Sequence, residues 1–394
     1  MTFPERFSNL PEYAFPRVRR LLDAHAPGGD VIHMTIGEPK HEFPQWVSQI
    51  IADNASGFGK YPPNDGTPEL RSAIAAWIQR RYGVAVDPDT QIMALNGTRE
   101  GLFNACVALC PEKTAKGQQP IVLTPNPFYQ VYAVAAAAVG AECVFVPATA
   151  ATGFLPDYAA LAPEVLNRTA IAYICSPSNP QGAVATRDYW RNLIELAERY
   201  DFQIFADECY SEIYRNVAPV GAIEVAAELG ADAERIVIFN SLSKRSNLPG
   251  LRSGFVAGGP ESIHRIKQLR DFAGAPLPLP LQMAAEKVWA DEGHVTANRA
   301  LYAEKYEAAD QVFASIQGCK TPDAGFFLWL PVEDGEAAAL QLWKETGVRV
   351  LPGAYLSRDV GNDNPGKAFI RVAMVAPTKE MQSGLIKLRD CLYS

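Results

Sequence analysis

The middle of the chain alternates short apolar segments with stretches that have helical periodicity. The apolar segments have the length of strands, whereas RDYWRNLIELAERYD (187–201) and the alanine-rich VYAVAAAAVGA (131–141) have the pattern of helices. The predicted strands are PIVLTP (120–125), AECVFVPA (141–148), TAIAYICSP (169–177), FQIFADE (202–208), RIVIFNS (235–241) and GFVAGG (254–259). Near-continuous apolar strands that alternate with helices indicate a parallel sheet covered by helices on both faces.

The last part of the chain has a second group of strands. GFFLWLPV (325–332), GVRVLPG (347–353) and AFIRVAMV (368–375) are separated by helical segments, and they predict a smaller α/β domain. The proline-rich GAPLPLPLQ (274–282) should continue neither a helix nor a central strand. We therefore predict a large domain over residues 45–285, and a small domain formed by residues 286–394 together with 1–44. The first 40 or so residues join the small domain or clasp a neighbouring subunit.

Composition and charge narrow the class of protein. The 394 residues carry a net charge of −8, and a chain with this acidic balance lacks the clustered basic residues of a nucleic-acid-binding protein. No apolar run approaches the roughly 20 residues that span a bilayer, and the N-terminus lacks the apolar stretch of a signal peptide. Seven cysteines without a CxxC pair and five scattered histidines predict a cytoplasmic protein without disulfides or a structural metal.

Several polar residues lie where predicted strands end. Asp207 closes a buried strand, with Tyr210 three residues later, and a carboxylate there is costly unless a cation or donor meets it. Asn179 follows another strand in a Ser-Pro-Ser-Asn-Pro turn. Each has a simpler interpretation, since Asp207 could cap a helix and Asn179 could serve the turn alone.

Two further segments have the residue types of an anion site. A strand leads into Gly97-Thr98-Arg99 and then a helical pattern, and a helix N-terminus offers free amide donors. The segment NSLSKRSNLPGLRSGF (240–255) places Lys244 among hydroxyls and an arginine eight residues later, although a solvated loop has the same composition. The aromatics of NPFYQVY (126–132) are more often core residues. In a parallel sheet, however, all these strand ends converge on one edge, where such sheets bind ligands.

Together, these motifs resemble those of the class I/II aminotransferases, pyridoxal-phosphate enzymes of fold type I. The resemblance runs from IGEP (36–39) to FIRVAMVAP (369–377), and the separated motifs appear in the family's order. It implies a large domain with a mostly parallel seven-stranded sheet between helices, plus a smaller α/β domain. In finer detail IGEPKH, NPFYQVY, CSPSNPQG, ECYSEIY and SLSKRSNLPGLRSGF are similar to the succinyldiaminopimelate aminotransferase branch.

The resemblance also implies roles for individual residues. Lys244 would form the Schiff base with pyridoxal 5'-phosphate and later move the substrate proton as base and then acid. Asp207 would pair with the pyridine nitrogen, Asn179 and Tyr210 would donate to the phenolic oxygen, and Tyr129 would stack on the ring. The residues implied for the cofactor phosphate are Ser241, Ser243, Arg252 and the backbone amides of Gly97, Thr98 and Arg99.

The substrate and subunit arrangement follow from the same resemblance. Arg371 would clamp the substrate α-carboxylate, with Asn179 nearby, and Gly37 would allow its close approach. Tyr61, in KYPPNDGTPELR (60–71), matches a tyrosine that reaches the cofactor phosphate of the other subunit, which implies a homodimer with shared active sites.

The predicted function is ping-pong transfer of an amino group from an amino acid to a 2-oxo acid. FAGAPLPLPLQ (272–282) contains no Arg or Lys, which argues against strict aspartate specificity, because aspartate-specific relatives carry an arginine near this stretch. We predict N-succinyl-LL-2,6-diaminopimelate as donor and 2-oxoglutarate as acceptor, in lysine and cell-wall precursor synthesis. Arg99 or Arg245 would meet the distal carboxylate.

Alternative functions on the same scaffold are a broad aspartate or aromatic aminotransferase and a carbon–sulfur lyase. A regulatory pyridoxal-phosphate-binding protein would need a DNA-binding domain ahead of IGEP. Because IGEP begins at residue 36, we expect no such domain. A scaffold protein without activity is disfavoured, because every chemical position holds a competent residue.

Overall fold

The computed structural model describes residues 5–8, 10 and 12–394. Its strands are named in chain order. They are β1 (Ile32–His33), β2 (Ile92–Leu95), β3 (Ile121–Asn126), β4 (Glu142–Pro147), β5 (Thr169–Cys175), β6 (Gln203–Asp207), β7 (Ile236–Ser241), β8 (Gly254–Ala257), β9 (Phe327–Pro331), β10 (Val348–Arg349), β11 (Leu351–Pro352) and β12 (Phe369–Ala373).

The helices surround these strands. The α-helices are α1 (Ala14–Leu22), α2 (Trp46–Asp53), α3 (Pro68–Tyr82), α4 (Thr98–Leu109), α5 (Gln130–Ala138), α6 (Pro163–Leu166), α7 (Arg187–Tyr200), α8 (Ala222–Leu229), α9 (Leu242–Arg245), α10 (Pro260–Ala273), α11 (Leu279–Ala290), α12 (Gly293–Phe313), α13 (Gly335–Thr346) and α14 (Thr378–Leu392). The two helical patterns predicted from the sequence correspond to α7 and α5.

The largest sheet has seven strands in the order β2-β8-β7-β6-β5-β3-β4. The pairs β3–β4, β3–β5, β5–β6 and β6–β7 are parallel, whereas β8 pairs antiparallel with both β7 and β2. Only β8 therefore runs against the other six strands. This confirms the predicted mostly parallel sheet, and all six predicted strands are present.

Apolar residues fill both faces of this sheet. On one face, Ile204 and Ile238 pack with Trp77 and Trp190. On the other face, Phe205 packs with residues of α4 and α5. Burial on both faces explains why the strand sequences are apolar almost throughout. The carboxyl ends of β5, β6 and β7 consequently lie side by side, with Cys175 paired to Asp207 and Asp207 to Phe239.

A separate sheet in the order β11-β12-β9 lies in the C-terminal part and is antiparallel. It packs against α12, α13 and α14 in its own apolar cluster. The segment predicted as one strand over 347–353 is divided, because β10 pairs with β1 and β11 pairs with β12. We propose the division into a large and a small domain on the basis of these separate cores, but the boundary after residue 285 is wrong, because Val288 and Trp289 of α11 pack in the core of the large domain.

The N-terminal segment joins the C-terminal part of the chain. β1 pairs parallel with β10, and Ala14, Val18 and Leu22 of α1 pack with Trp343 and Leu351. Part of the segment, residues 1–4, 9 and 11, lies outside the described residues.

The proline-rich stretch continues no helix, as predicted, because α10 ends at Ala273 and residues 274–278 separate it from the next helix. Helix α11 begins at Leu279 and includes Pro280. Proline is compatible with the first turn of a helix, because the amide hydrogen it lacks has no partner within the helix there. Across the described residues, no helix is long and apolar enough to cross a membrane.

Candidate active site

A cavity of about 480 Å³ opens at the carboxyl ends of the parallel strands. It brings together every predicted site residue except Gly97, Tyr61 and Arg245. Those that line it are Gly37, Thr98, Arg99, Tyr129, Asn179, Asp207, Tyr210, Ser241, Ser243, Lys244, Arg252 and Arg371. Residues far apart in the chain converge because the strands that precede them end at one edge of the sheet.

Gly97 lies directly behind one wall of the cavity. It adopts φ +83°, and a Cβ at this position would lie 1.9 Å from Arg252 Nη2. Only glycine therefore allows the guanidinium of Arg252 to pack against this turn. Tyr61, by contrast, is fully exposed at 103% and does not line the cavity of its own chain.

One end of the cavity is suited to an anion. Arg252 donates to Pro249 O at 3.0 Å, and no Asp or Glu of the described residues forms a salt bridge with it. Ser241 Oγ accepts from Ser243 N at 3.3 Å, and Thr98 begins α4, whose first amides have no partner within the helix. Hydroxyls, free amides and an unpaired guanidinium together form an anion-binding end.

Asp207 lies buried at the floor of the cavity. Its Oδ2 accepts from the Tyr132 hydroxyl at 2.8 Å and its Oδ1 from Cys209 N at 3.3 Å. Burial raises the pKa of the Asp207 carboxyl above its ordinary value, and these donors oppose the rise. No Lys, Arg or His of the described chain forms a salt bridge with it, so a cationic ligand group would complete its surroundings.

Sequence reasoning missed the role of Tyr132, which it treated as a core aromatic. Tyr132 lies on α5, three residues after Tyr129, and its ring stacks on Tyr173 at 4.4 Å. A tyrosine one helical turn after a ligand-facing aromatic could have suggested a second residue directed at the same site. The hydroxyl of a buried tyrosine usually needs a partner, and here that partner is the buried carboxylate of Asp207.

Lys244 extends from the short helix α9 into the cavity and donates to Gly37 O. Burial lowers the pKa of Lys244 to about 8. A Cβ on Gly37 would lie 2.3 Å from the ring of Phe327, so this position accepts no larger residue without rearrangement. Gly37 therefore contacts Lys244 through its carbonyl oxygen. The nearby ring of Phe327 explains why residue 37 has no side chain.

The residue after Lys244 anchors this segment. Arg245 is completely buried and donates to Val288 O at 2.9 Å, to Asp291 O at 3.0 Å and to Glu292 Oε1 at 2.9 Å. It does not line the cavity. The expectation that Arg245 could meet a distal substrate carboxylate is therefore wrong, because its donors are directed at the end of α11.

Arg371 is buried on β12 without a carboxylate partner in the described part of the chain. It donates to Asn179 Oδ1 at 2.9 Å and to Thr35 O at 2.7 Å, and its Nε has no partner. Burial lowers the pKa of Arg371 to about 10, so the guanidinium remains charged at neutral pH. Because Asn179 Oδ1 is occupied by Arg371, its amide NH₂ remains available as a donor.

Arg99 lies at the mouth of the cavity. Its Nε donates to the Tyr129 hydroxyl at 2.5 Å, and no described Asp or Glu forms a salt bridge with it. The cavity therefore contains three guanidinium groups, those of Arg99, Arg252 and Arg371, that lack carboxylate partners. No group of His, Cys, Asp and Glu side chains suited to holding a metal ion occurs among the described residues.

Comparison with known proteins identifies the family to which the chain belongs. The sequence profile of the family "Aminotransferase class I and II" matches residues 29–387. The chain belongs to this family. It is therefore an enzyme of the transferase class, and its fold and the order of its motifs are those expected of a class I and II aminotransferase.

Individual relatives cover the chain almost completely. An LL-diaminopimelate aminotransferase of Dehalococcoides mccartyi is 30% identical, with 99% of each chain covered. One of Moorella thermoacetica is 32% identical, covering 98% of this chain and 97% of the relative. A solved aminotransferase of Neisseria meningitidis is 38% identical, with a TM-score of 0.93 and 98% of each chain covered. These comparisons support the aminotransferase family but not the finer assignment to the succinyldiaminopimelate branch, because the curated relatives are named for LL-diaminopimelate.

Proposed function

We propose that this aminotransferase uses pyridoxal 5'-phosphate to transfer an amino group from a diaminopimelate-type donor to 2-oxoglutarate in a ping-pong reaction. The observation that carries this proposal is the pattern of unpaired charge in one cavity. Within the part of the chain that the structure describes, a buried carboxylate there lacks a cation, three guanidinium groups lack carboxylates, and an amine has a lowered pKa. The carboxylate, the guanidinium groups and the amine would each bind a group of the cofactor or the donor.

The residues present fit the cofactor. Asp207 suits a protonated ring nitrogen, Tyr129 offers a flat face, and the amine of Lys244 suits an aldehyde. Arg252, the hydroxyls of Thr98, Ser241 and Ser243, and the first amides of α4 suit the phosphate. When bound, pyridoxal phosphate supplies an electron sink for the charge that develops at the substrate α-carbon.

The protein's own residues would then manage protons and orientation. Lys244, held by Gly37 O, has a pKa of about 8 and could take a proton from the substrate α-carbon and deliver it to the cofactor carbon on the other side of the amino nitrogen. Tyr132 and Cys209 N stabilise the ionised form of Asp207 and so oppose the rise in its pKa that burial causes. Tyr210 and the free amide NH₂ of Asn179 would donate to the ring's phenolic oxygen.

Substrate recognition would rely on two arginines. Arg371, rigidly held by Asn179 and Thr35 O, would bind the α-carboxylate through its remaining N–H groups. Arg99, held by Tyr129 at the cavity mouth, would bind a carboxylate at the distal end of the donor. A donor with two separated carboxylates satisfies both guanidinium groups.

We propose N-succinyl-LL-2,6-diaminopimelate as the preferred donor. Its succinyl group removes the distal ammonium, which Arg99 would repel, and adds a further carboxylate. Free LL-diaminopimelate is the second candidate, and the names of the curated relatives favour it. Glu38 also lines the cavity and is the carboxylate that would meet a distal ammonium if the free donor is preferred.

We also propose that the active enzyme is a homodimer in the cytoplasm, with Tyr61 supplied to the partner subunit's phosphate site. Tyr61 is fully exposed, as is Phe272 at 95%, and Phe58 is more than half exposed. Asn64 and Asp271 form a 3.2 Å hydrogen bond that brings the two segments together. Exposed aromatics that are grouped in this way favour burial against a second copy.

A donor screen tests the proposal. The purified protein, loaded with pyridoxal 5'-phosphate, is given N-succinyl-LL-2,6-diaminopimelate, LL-diaminopimelate, aspartate, an aromatic amino acid or cystathionine, with and without 2-oxoglutarate. We expect glutamate to form fastest from the first donor, and borohydride to fix the cofactor to the peptide that contains Lys244. Labelling of another peptide, or continuous turnover that releases a 2-oxo acid without an acceptor as in a carbon–sulfur lyase, would contradict the proposal, since an aminotransferase stops after a single release at each site.

A further inference from the structure

We propose that Cys209 is a positioning residue for the phosphate site, where its thiol orients the hydroxyls of Thr98 and Ser241. This inference rests on the proposed function, because it concerns how the chain holds the phosphate of pyridoxal 5'-phosphate. Neither the sequence motifs nor the roles assigned above give the Cys209 thiol a function. It lies on the segment that follows β6, between Asp207 and Tyr210, and lines the same cavity.

The contacts of the thiol connect three parts of the site. Cys209 Sγ lies 3.2 Å from Thr98 Oγ1 and 3.8 Å from Ser241 Oγ. Its backbone N–H donates to Asp207 Oδ1 at 3.3 Å. Among the described residues, the thiol is the hydrogen-bond partner of the Thr98 hydroxyl. The hydroxyl oxygen of Ser241 has two partners, the thiol of Cys209 and the amide of Ser243.

The hydrogen-bonding capacities explain what the thiol contributes. A phosphate oxygen only accepts, so each hydroxyl must direct its single hydrogen at the ligand. If the Cys209 S–H donates to Thr98 Oγ1, the hydrogen of Thr98 is left to point into the cavity. Ser241 Oγ already accepts from Ser243 N at 3.3 Å, so its hydrogen is available too.

The sulfur also suits the state without ligand. It is a weak acceptor, so it can hold the Ser241 hydrogen loosely and release it to a phosphate oxygen, which is a much stronger acceptor. Burial raises the pKa of the Cys209 thiol well above its ordinary value, so the S–H is retained at neutral pH. A thiolate there would lack the hydrogen that Thr98 requires.

Cys175 provides a matched control. Its thiol is buried to a similar extent and lines the same cavity, but it donates to Pro177 O at 3.2 Å and contacts neither hydroxyl. Removing it creates a comparable loss of volume near Asp207. A general effect of losing a buried thiol would therefore appear equally in Cys175→Ala and Cys209→Ala.

The test measures dissociation constants of the protein stripped of cofactor, with pyridoxal 5'-phosphate and with pyridoxal as ligands. Loss of about one net hydrogen bond should raise the dissociation constant of Cys209→Ala for pyridoxal 5'-phosphate about fivefold and leave that for pyridoxal unchanged. Cys209→Val, which fills the volume without hydrogen bonding, should behave like Cys209→Ala. Cys209→Ser should stay within about twofold of the wild type, because a hydroxyl can donate and accept as the thiol does.

The outcomes separate this inference from the proposed function. If the wild type prefers pyridoxal 5'-phosphate over pyridoxal and Cys209→Ala and Cys209→Val retain the same preference, the inference fails and the function stands. An equal loss of affinity for pyridoxal 5'-phosphate in Cys175→Ala would also overturn the inference. So would an equal weakening of pyridoxal binding in Cys209→Ala. A wild type that binds neither ligand would overturn the proposed function and this inference together.

Discussion

The Tyr132 hydroxyl donates a 2.8 Å hydrogen bond to Oδ2 of Asp207, and both groups are buried. This contact supplies the carboxylate with a donor from the protein itself. Because burial raises the pKa of Asp207, every donor that stabilises its ionised form matters for a role opposite a cationic ring nitrogen.

Replacing Tyr132 with Phe should therefore lower turnover. Removing a hydrogen bond to a charged acceptor costs about 1.5–3 kcal/mol, so we expect kcat to fall by about tenfold or more. Tyr173→Phe is the matched control, since Tyr173 stacks on Tyr132 but donates to Leu102 O at 2.8 Å. Steady-state rates of both variants with the same donor check this, and equal losses would indicate a packing effect.

Asp207→Ala should affect turnover much more than cofactor retention. The carboxylate would stabilise charge that develops during reaction, and loss of such a group typically costs about 100-fold or more in rate. The anion-binding end around Arg252 remains intact in this variant, so affinity for pyridoxal 5'-phosphate should fall far less. Single-turnover rates and dissociation constants measured together decide the matter, and a near-normal rate would remove Asp207 from this role.

The amine of Lys244 should titrate near pH 8 in the protein without cofactor, because burial lowers its pKa from 10.5 to about 8. Only the neutral amine is nucleophilic, so the rate of capture of pyridoxal 5'-phosphate should rise with a midpoint near pH 8. A midpoint near 10.5 would contradict the environment described here. Lys244→Met should show no capture at any pH.

The lowered pKa of Lys244 also predicts that the stability of the protein depends on pH. Between about pH 8 and 10.5 the folded chain binds fewer protons at Lys244 than the unfolded chain does. The free energy of unfolding of the wild type should therefore rise with pH across this window relative to that of Lys244→Met. Buried Lys305, whose pKa burial also lowers to about 8, contributes the same slope to both proteins and cancels from the comparison. Denaturant titrations at several pH values measure the difference.

Subunit exchange tests whether active sites are shared. Tyr61→Ala and Lys244→Ala should each lower activity severely as pure proteins. A mixed dimer would contain one site with both changes and one site with neither, so activity should partly return after mixing. Absence of recovery after demonstrated exchange would mean that Tyr61 acts within its own chain or not at all.

Arg99 should determine the preference for donors with a distal carboxylate. Arg99→Met should lower kcat/KM for N-succinyl-LL-2,6-diaminopimelate by about tenfold or more, as expected when a charge-assisted hydrogen bond is lost. Norleucine lacks a distal carboxylate and should be used equally well by both proteins. In the wild type the succinylated donor should exceed aspartate in kcat/KM by at least about tenfold, and a reversed order would favour a broad-specificity enzyme.

The sequence alone was sufficient for the strands of the sheet and for most of the polar side chains that line the cavity. Apolar strands such as FQIFADE have few alternatives to a central position, because burial on both faces requires hydrophobic residues throughout. Asp207, Asn179 and Lys244 could be located because their polar side chains interrupt or follow such strands. Their convergence follows from the parallel arrangement, in which strand ends share an edge.

The tertiary structure decided which groups touch one another. Arg99 and Arg245 look alike in the sequence, yet Arg99 lines the cavity and Arg245 is buried against Val288 O and Glu292. The sequence pattern indicated a core position for Tyr132 and no role for Cys209, because the contacts of both side chains join segments far apart in the chain. Hydrophobic pattern fixes which face of an element is buried, but the partner of a polar atom depends on the packing of distant segments, which no local pattern encodes.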